Sequence, residues 1–220
     1  MKINVVTLLL GLLMLPAAMN AQNDWAYYGR YAADNAKITK APKAVLMGDS
    51  ITDGWPGADM AFFKDNNFVG RGIGGQVTNQ MLLRFRQDVV ALNPKYVVIL
   101  AGTNDIAGNF GEIDLQKTFD NIVCMCDIAK ANRIKPVLCS VLPAARYGWN
   151  PKVTDAADKI ILLNSMLKEY ARKHRIKYVD YHSVMKNEQN GLSKNLAQDG
   201  VHPTLEGYRI MEELLLKVLK

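Results

Sequence analysis

The order of apolar segments predicts an α/β fold built on a parallel sheet with helices on both faces. Two observations carry this prediction. Short apolar runs that stop in glycine or polar loops recur along the chain, and stretches with the helical spacing of apolar residues lie between them. Parallel strands need crossover connections, so alternating strand and helix imply a sheet covered on both sides. The length of 220 residues is within reach of one large domain, and no low-complexity tract or linker divides the sequence.

The first strand is Ala44-Val45-Leu46-Met47, which breaks into the loop Gly48-Asp49-Ser50. A short strand near Phe68-Val69 gives way to Arg71-Gly72-Ile73-Gly74-Gly75, and a helix is predicted from Val77 to Leu92, stopped by Asn93-Pro94. Tyr96 to Leu100 is the next strand, Gly102-Thr103-Asn104-Asp105 is its exit, and a helix follows from Leu115 to Ala131. Pro136 to Val141 reads as a strand, Ile160, Leu163, Met166 and Leu167 as the face of a helix, and Tyr178-Val179 as a short last strand. Leu205 to Leu219 makes the closing helix. The lead-in bearing Trp25, Tyr27, Tyr28 and Tyr31 is expected to pack across the domain surface. Ligands of such sheets bind beyond the carboxyl ends of the strands, and Ser50, Gly75 and Asn104 each follow a different strand at that edge.

At the N-terminus, Met1 and Lys2 precede the apolar run Val5 to Leu15, and Pro16, Ala17, Ala18 and Asn20-Ala21 follow it. One basic residue, a short apolar core and a small-residue exit form the pattern of a secretory signal peptide. Residues 1–21 are read as that leader and residues 22–220 as a single domain, exported to the periplasm or secreted. The run is too short to span a bilayer comfortably, so no stable membrane anchor is expected. The formal charge of +6 comes from Lys and Arg scattered along the chain. With no nucleic-acid motif present, a solvated basic face is the reading and nucleic acid is excluded as a partner. Cys124 and Cys126 fall on different faces of a helix. Buried free thiols are favoured, with a pairing to Cys139 left open. No residues have zinc-site spacing, and neither metal nor organic cofactor is expected.

A serine hydroxyl needs a base within hydrogen-bond reach, and the base needs a partner that orients it. Of the three histidines, His174 sits in the charged string Arg172-Lys173-His174-Arg175 at a helix end, and His182 follows the last strand as a structural candidate. His202 lies in Asp199-Gly200-Val201-His202-Pro203, where a carboxylate three residues earlier can reach the ring nitrogen that faces away from the serine. The bland reading is that Asp199 or Thr204 caps the final helix. Acyl transfer also needs donors for the developing oxyanion. Gly75 can offer a backbone N–H, Asn104 a side-chain amide and Ser50 its own N–H. The glycine run matches neither Gly-x-x-x-x-Gly-Lys-Ser/Thr nor Gly-x-Gly-x-x-Gly, so a phosphate-binding loop is disfavoured.

Four blocks in order carry a resemblance: Gly48-Asp49-Ser50-Ile51, Gly72-Ile73-Gly74-Gly75, Gly102-Thr103-Asn104-Asp105 and Asp199-Gly200-Val201-His202-Pro203. Over nearly all of residues 22–220 the chain resembles the SGNH hydrolases, the GDSL-type esterases and lipases. Ile51 stands where the family name has Leu. The resemblance implies a flavodoxin-like three-layer sandwich with five parallel strands, catalytic Ser50, Asp199 and His202, and oxyanion donors Ser50, Gly75 and Asn104. The nucleophile arrangement Gly-x-Ser-x-Gly of α/β-hydrolases is absent around Ser50.

Connections at 106–113 and 143–151 are short, and neither is a long apolar lid. Small acyl groups, acetyl above all, are therefore expected. Trp55, Tyr147 and Trp149 are candidate substrate contacts, since flat aromatic faces near the site edge can stack on a sugar. The substrate expected is a small ester or an acetylated carbohydrate. A short-chain lipid acylhydrolase similar to platelet-activating-factor acetylhydrolases is the alternative enzyme, and an inactive carbohydrate-binding or surface-interaction protein the alternative of another class.

Overall fold

The structure is a computed structural model that describes residues 24–197 and 199–220; the expected leader lies outside the described residues. Five strands form one parallel sheet: β1 (Ala44–Gly48), β2 (Phe68–Gly72), β3 (Tyr96–Leu100), β4 (Lys135–Cys139) and β5 (Lys177–Val179). Their order is β2-β1-β3-β4-β5. This is the flavodoxin-like arrangement, whose strand order reverses between β1 and β3 and opens a crevice at the carboxyl ends of those two strands.

Around the sheet, in chain order, lie α1 (Ala32–Ala36), α2 (Ser50–Ala58), α3 (Met60–Asn66), α4 (Thr78–Asp88), α5 (Thr103–Ile106), α6 (Leu115–Ala131), α7 (Ala156–His174), α8 (Tyr181–Met185) and α9 (Leu205–Leu219). Successive side chains of a strand point to opposite faces, and the core divides accordingly. Val45, Met47, Val97 and Ile99 face one layer with Met81 and Phe85 of α4, Ile122 of α6 and Leu163 of α7. Leu46, Val98 and Leu100 face the other with Trp55 of α2, Phe62 of α3 and Met211 and Leu215 of α9. Burying each such large apolar side chain contributes about 1.5–3 kcal/mol.

Between β1 and β2 two helices form, the first of them in spite of Gly54, Pro56 and Gly57. Capping explains them. The Asp49 carboxylate accepts from Ile51 N–H at 3.0 Å to start α2, and Asp59 accepts from Phe62 N–H at 3.1 Å to start α3. Burial of Trp55, Phe62 and Phe63 then offsets the helix-weakening residues. The expected helix from Val77 to Leu92 divides into α4 and a short 3-10 turn at Val90–Leu92.

The lead-in packs on α4 and the loop before it. Gln80 Nε2 donates to the Trp25 carbonyl at 2.7 Å, Gln76 Nε2 to that of Ala26 at 3.0 Å, and the Tyr31 hydroxyl to the carbonyl of Gly72. The three cysteines are free; Cys126 and Cys139 are buried, whereas Cys124 is exposed, so the expectation of buried thiols fails at that one position. It points outward from α6 because its neighbours Met125 and Cys126 take the inward stripe.

Candidate active site

Ser50 is the first residue of α2, directly after β1, and its N–H belongs to the first helical turn, where no intrahelical carbonyl meets it. Its hydroxyl lies 2.8 Å from His202 Nε2, across 152 residues of sequence. His202 Nδ1 is 2.5 Å from Asp199 Oδ2, while Asp199 Oδ1 accepts from the backbone N–H of Val201 at 2.9 Å and of His202 at 2.8 Å. Because a carboxylate only accepts, Nδ1 carries the proton and Nε2 is the acceptor that faces the serine. Partial burial of Asp199 works against its ionisation, but the bonds from His202 and Val201 outweigh that and hold its carboxyl below the usual range. Thr204 caps α9 through Gly207 N–H at 3.3 Å, so the cap and the Asp199–His202 pair coexist.

Gly75 lies in the loop between β2 and α4 with φ +75°, a backbone setting that side chains rarely adopt. A Cβ on Gly72 would lie 2.1 Å from the Asp53 nitrogen, so glycine at that position lets β2 abut the first turns of α2. Asn104, on α5 after β3, is buried, and its Nδ2 donates to the Gln76 carbonyl at 3.0 Å. Ser50, Gly75 and Asn104 therefore converge from β1, β2 and β3.

Beneath them lies a layer the sequence reading missed. Arg84 is 0% exposed and donates to the Gly48 carbonyl at 3.1 Å, to Gln76 Oε1 at 2.6 Å and to Asp88 at 3.0 Å. An Arg and an Asp four residues apart on the buried stripe of α4, among Met81 and Phe85, were the available signal. Asp49 is fully buried, and burial, with the charge of Asp105 acting the same way, raises its pKa to about 7 against the pull of Ile51 N–H and His202. Asp105 accepts from the Thr78 N–H at 3.1 Å and the Thr78 hydroxyl at 2.5 Å; burial still raises its pKa.

Two of the candidate substrate contacts are corrected. Trp55 is 1% exposed inside α2, stacked on Phe62 and Tyr208, with its Nε1 donating to Glu212 at 2.9 Å. Tyr147 is also 1% exposed, and its hydroxyl sits 3.0 Å from Thr103 Oγ1 behind the site. Trp149 alone of the three is open, 47% exposed with its ring centroid 6.3 Å from that of His202. His174 stacks on Tyr170 at a helix end, and His182 is buried after β5; neither joins the site. Among the described residues no group of three or more His, Cys, Asp or Glu side chains could hold a metal ion.

Residues 46–210 match the GDSL-like lipase/acylhydrolase family. The chain belongs to this family of ester hydrolases. Its fold is shared with a GDSL-like lipase from Bacteroides thetaiotaomicron, at 45% identity and TM-score 0.87 over 89% of this chain and 98% of that one. A Bacteroides fragilis protein assigned as an acylhydrolase is 49% identical, with TM-score 0.88 over 90% of this chain and 98% of that one. An acetylxylan esterase of Xylanibacter ruminicola is 26% identical over 152 residues, 61% of this chain and 30% of that protein. The uncharacterized Bacillus subtilis lipoprotein YqeF is 35% identical over 80 residues, 35% of this chain and 33% of that one. The chain thus covers about a third of the length of these curated relatives.

Proposed function

We propose that this GDSL-family protein is a serine esterase that removes small acyl groups, acetyl foremost, from hydroxyl groups of carbohydrate outside the cytoplasm. The observation that carries the reading is the continuous chain from Ser50 Oγ through His202 to Asp199, at 2.8 and 2.5 Å, beside the Gly75 and Asn104 donors. His202 Nε2 takes the Ser50 proton as Oγ bonds to the ester carbonyl carbon. The carbonyl oxygen becomes an oxyanion, held by the N–H groups of Ser50 and Gly75 and the Asn104 amide. Collapse breaks the bond to the alcohol oxygen, which leaves with the proton from His202. Water then repeats the sequence: it gives a proton to His202, attacks the acyl-serine and releases the carboxylic acid, and Ser50 recovers its proton. No step calls for a metal.

Export rests on the leader pattern in residues 1–21. For the substrate, support comes from the acetylxylan esterase among the relatives and from Trp149, an open aromatic face beside the base.

The test is hydrolysis of p-nitrophenyl acetate, butyrate and octanoate, with chelator present, by the wild type and Ser50→Ala. Acetate is expected to turn over fastest and the alanine variant to be inactive. Equal activity of Ser50→Ala would remove the nucleophile from this reading, and a folded wild type inert to all three esters and to fluorophosphonate would leave the protein a binder.

A further inference from the structure

We infer that Asn109 is a positioning residue that sets the oxyanion hole and links it to the aromatic platform Trp149. The inference rests on the esterase reading above. Asn109 Nδ2 donates to Asn104 Oδ1 at 3.0 Å and to the Gly75 carbonyl at 3.2 Å, so one amide group touches two of the three donor residues. Its Oδ1 accepts from Trp149 Nε1 at 2.9 Å, and its backbone N–H donates to the Asn104 carbonyl at 3.1 Å.

Only one sense of each amide satisfies this set. Turned over, Asn109 would aim an oxygen at two oxygens and an NH2 at an indole N–H. Turned over, Asn104 would set its oxygen against the Gln76 carbonyl and its NH2 against that of Asn109. Asn109 and the Gln76 carbonyl thus fix the Asn104 amide between them, with Nδ2 holding one hydrogen on Gln76 and one for a substrate oxygen. The loop bearing Trp149 is clasped a second time, by Asn150 Nδ2 on the Ala107 carbonyl at 2.8 Å. A ligand ring lying on Trp149 therefore rests on a side chain that is bonded, through Asn109, to the oxyanion donors. Asn109 itself is exposed, so its replacement leaves the core untouched.

The experiment is p-nitrophenyl acetate kinetics and fluorophosphonate labelling of wild type, Asn109→Ala, Asn109→Asp and Trp149→Phe, with melting temperatures. Outright loss of an oxyanion donor typically costs about a hundred- to thousandfold, so a donor left in place but unfixed is expected to cost about tenfold in kcat in Asn109→Ala, with KM within about twofold. Asn109→Asp, which can still accept from Trp149 but faces only oxygens on the other side, is expected to lose more. Trp149→Phe, which removes the N–H and keeps an aromatic face, is expected to lose about two- to threefold. Labelling rates should fall in parallel while melting temperatures hold. Wild-type kcat in both Asn109 variants, a loss confined to KM, or a kcat loss matched by lower melting temperature in every variant overturns the inference. Failure of the underlying reading is separate: it appears as activity in Ser50→Ala whatever Asn109 does.

Discussion

The hydroxyl of Tyr208 donates to the carbonyl of Ile51 at 2.7 Å, which joins the helix that follows His202 to the helix that begins with Ser50. Trp55 Nε1 on Glu212 makes a second tie between α2 and α9. Two buried contacts between α2 and α9 therefore brace the spacing between Ser50 and His202.

Tyr208→Phe keeps the ring that stacks on Trp55 and removes only the hydroxyl. A net cost of about 0.5–1.5 kcal/mol is expected for that bond, measured by urea unfolding, together with a modest fall in kcat. Unchanged stability would show that the tie contributes nothing.

Asp199→Asn removes the negative charge that steadies His202 when it takes a proton. With the partner amide free to turn its NH2 toward the ring, kcat is expected to fall by roughly 10²- to 10⁴-fold while the fold persists. Steady-state kinetics with circular dichroism on the same sample check both halves.

A histidine base must be neutral to accept the Ser50 proton, so kcat/KM is expected to fall on the acid side. A flat profile between about pH 5 and pH 8 would rule out His202 as base.

Asp49 affects stability in the opposite sense from a paired surface carboxylate. Its folded pKa is raised to about 7, above its unfolded value, so between the two the folded state holds more protons. Stability is then greatest below the unfolded pKa and is lost as pH rises toward about 7. Asp49→Asn, which can still cap Ile51, is expected to raise the melting temperature at about pH 8 and leave it unchanged at about pH 4. Equal shifts at both pH values would place the effect elsewhere.

Cys126 and Cys139 are buried, and burial pushes both thiols up to about 12. Cys124 is exposed. One equivalent of a thiol reagent is expected to react with the native protein and three after denaturation, as counted by absorbance.

The sheet was legible because β1, β3 and β4 are apolar runs that begin or end at glycine or proline, and the candidate site because its blocks each follow a strand end or precede a helix. Helix α2 was hidden, since Gly54, Pro56 and Gly57 within it weaken a helix and only capping by Asp49 and burial of Trp55 override them, and α3 is a short helix of seven residues started by the Asp59 cap. The same override turned Trp55 from an expected rim residue into core. Arg84 left only its spacing from Asp88 as a local signal, and the contacts of Arg84 with Gly48 and of Asn109 with Gly75 could not be read from any local window, because the sheet alone brings those loops side by side.

The 152 residues that separate Ser50 from His202 have a consequence for when reactivity can arise. A ribosome that has completed α5 has already delivered Ser50, Gly75 and Asn104, the three oxyanion donors of the proposed mechanism, but in that mechanism the serine there is still an inert alcohol. Activation waits for the segment at 199–202 to dock, so the growing polypeptide stays chemically silent until nearly all of it has been made, and hydrolysis by this protein doubles as a report that its C-terminal helix has found its place.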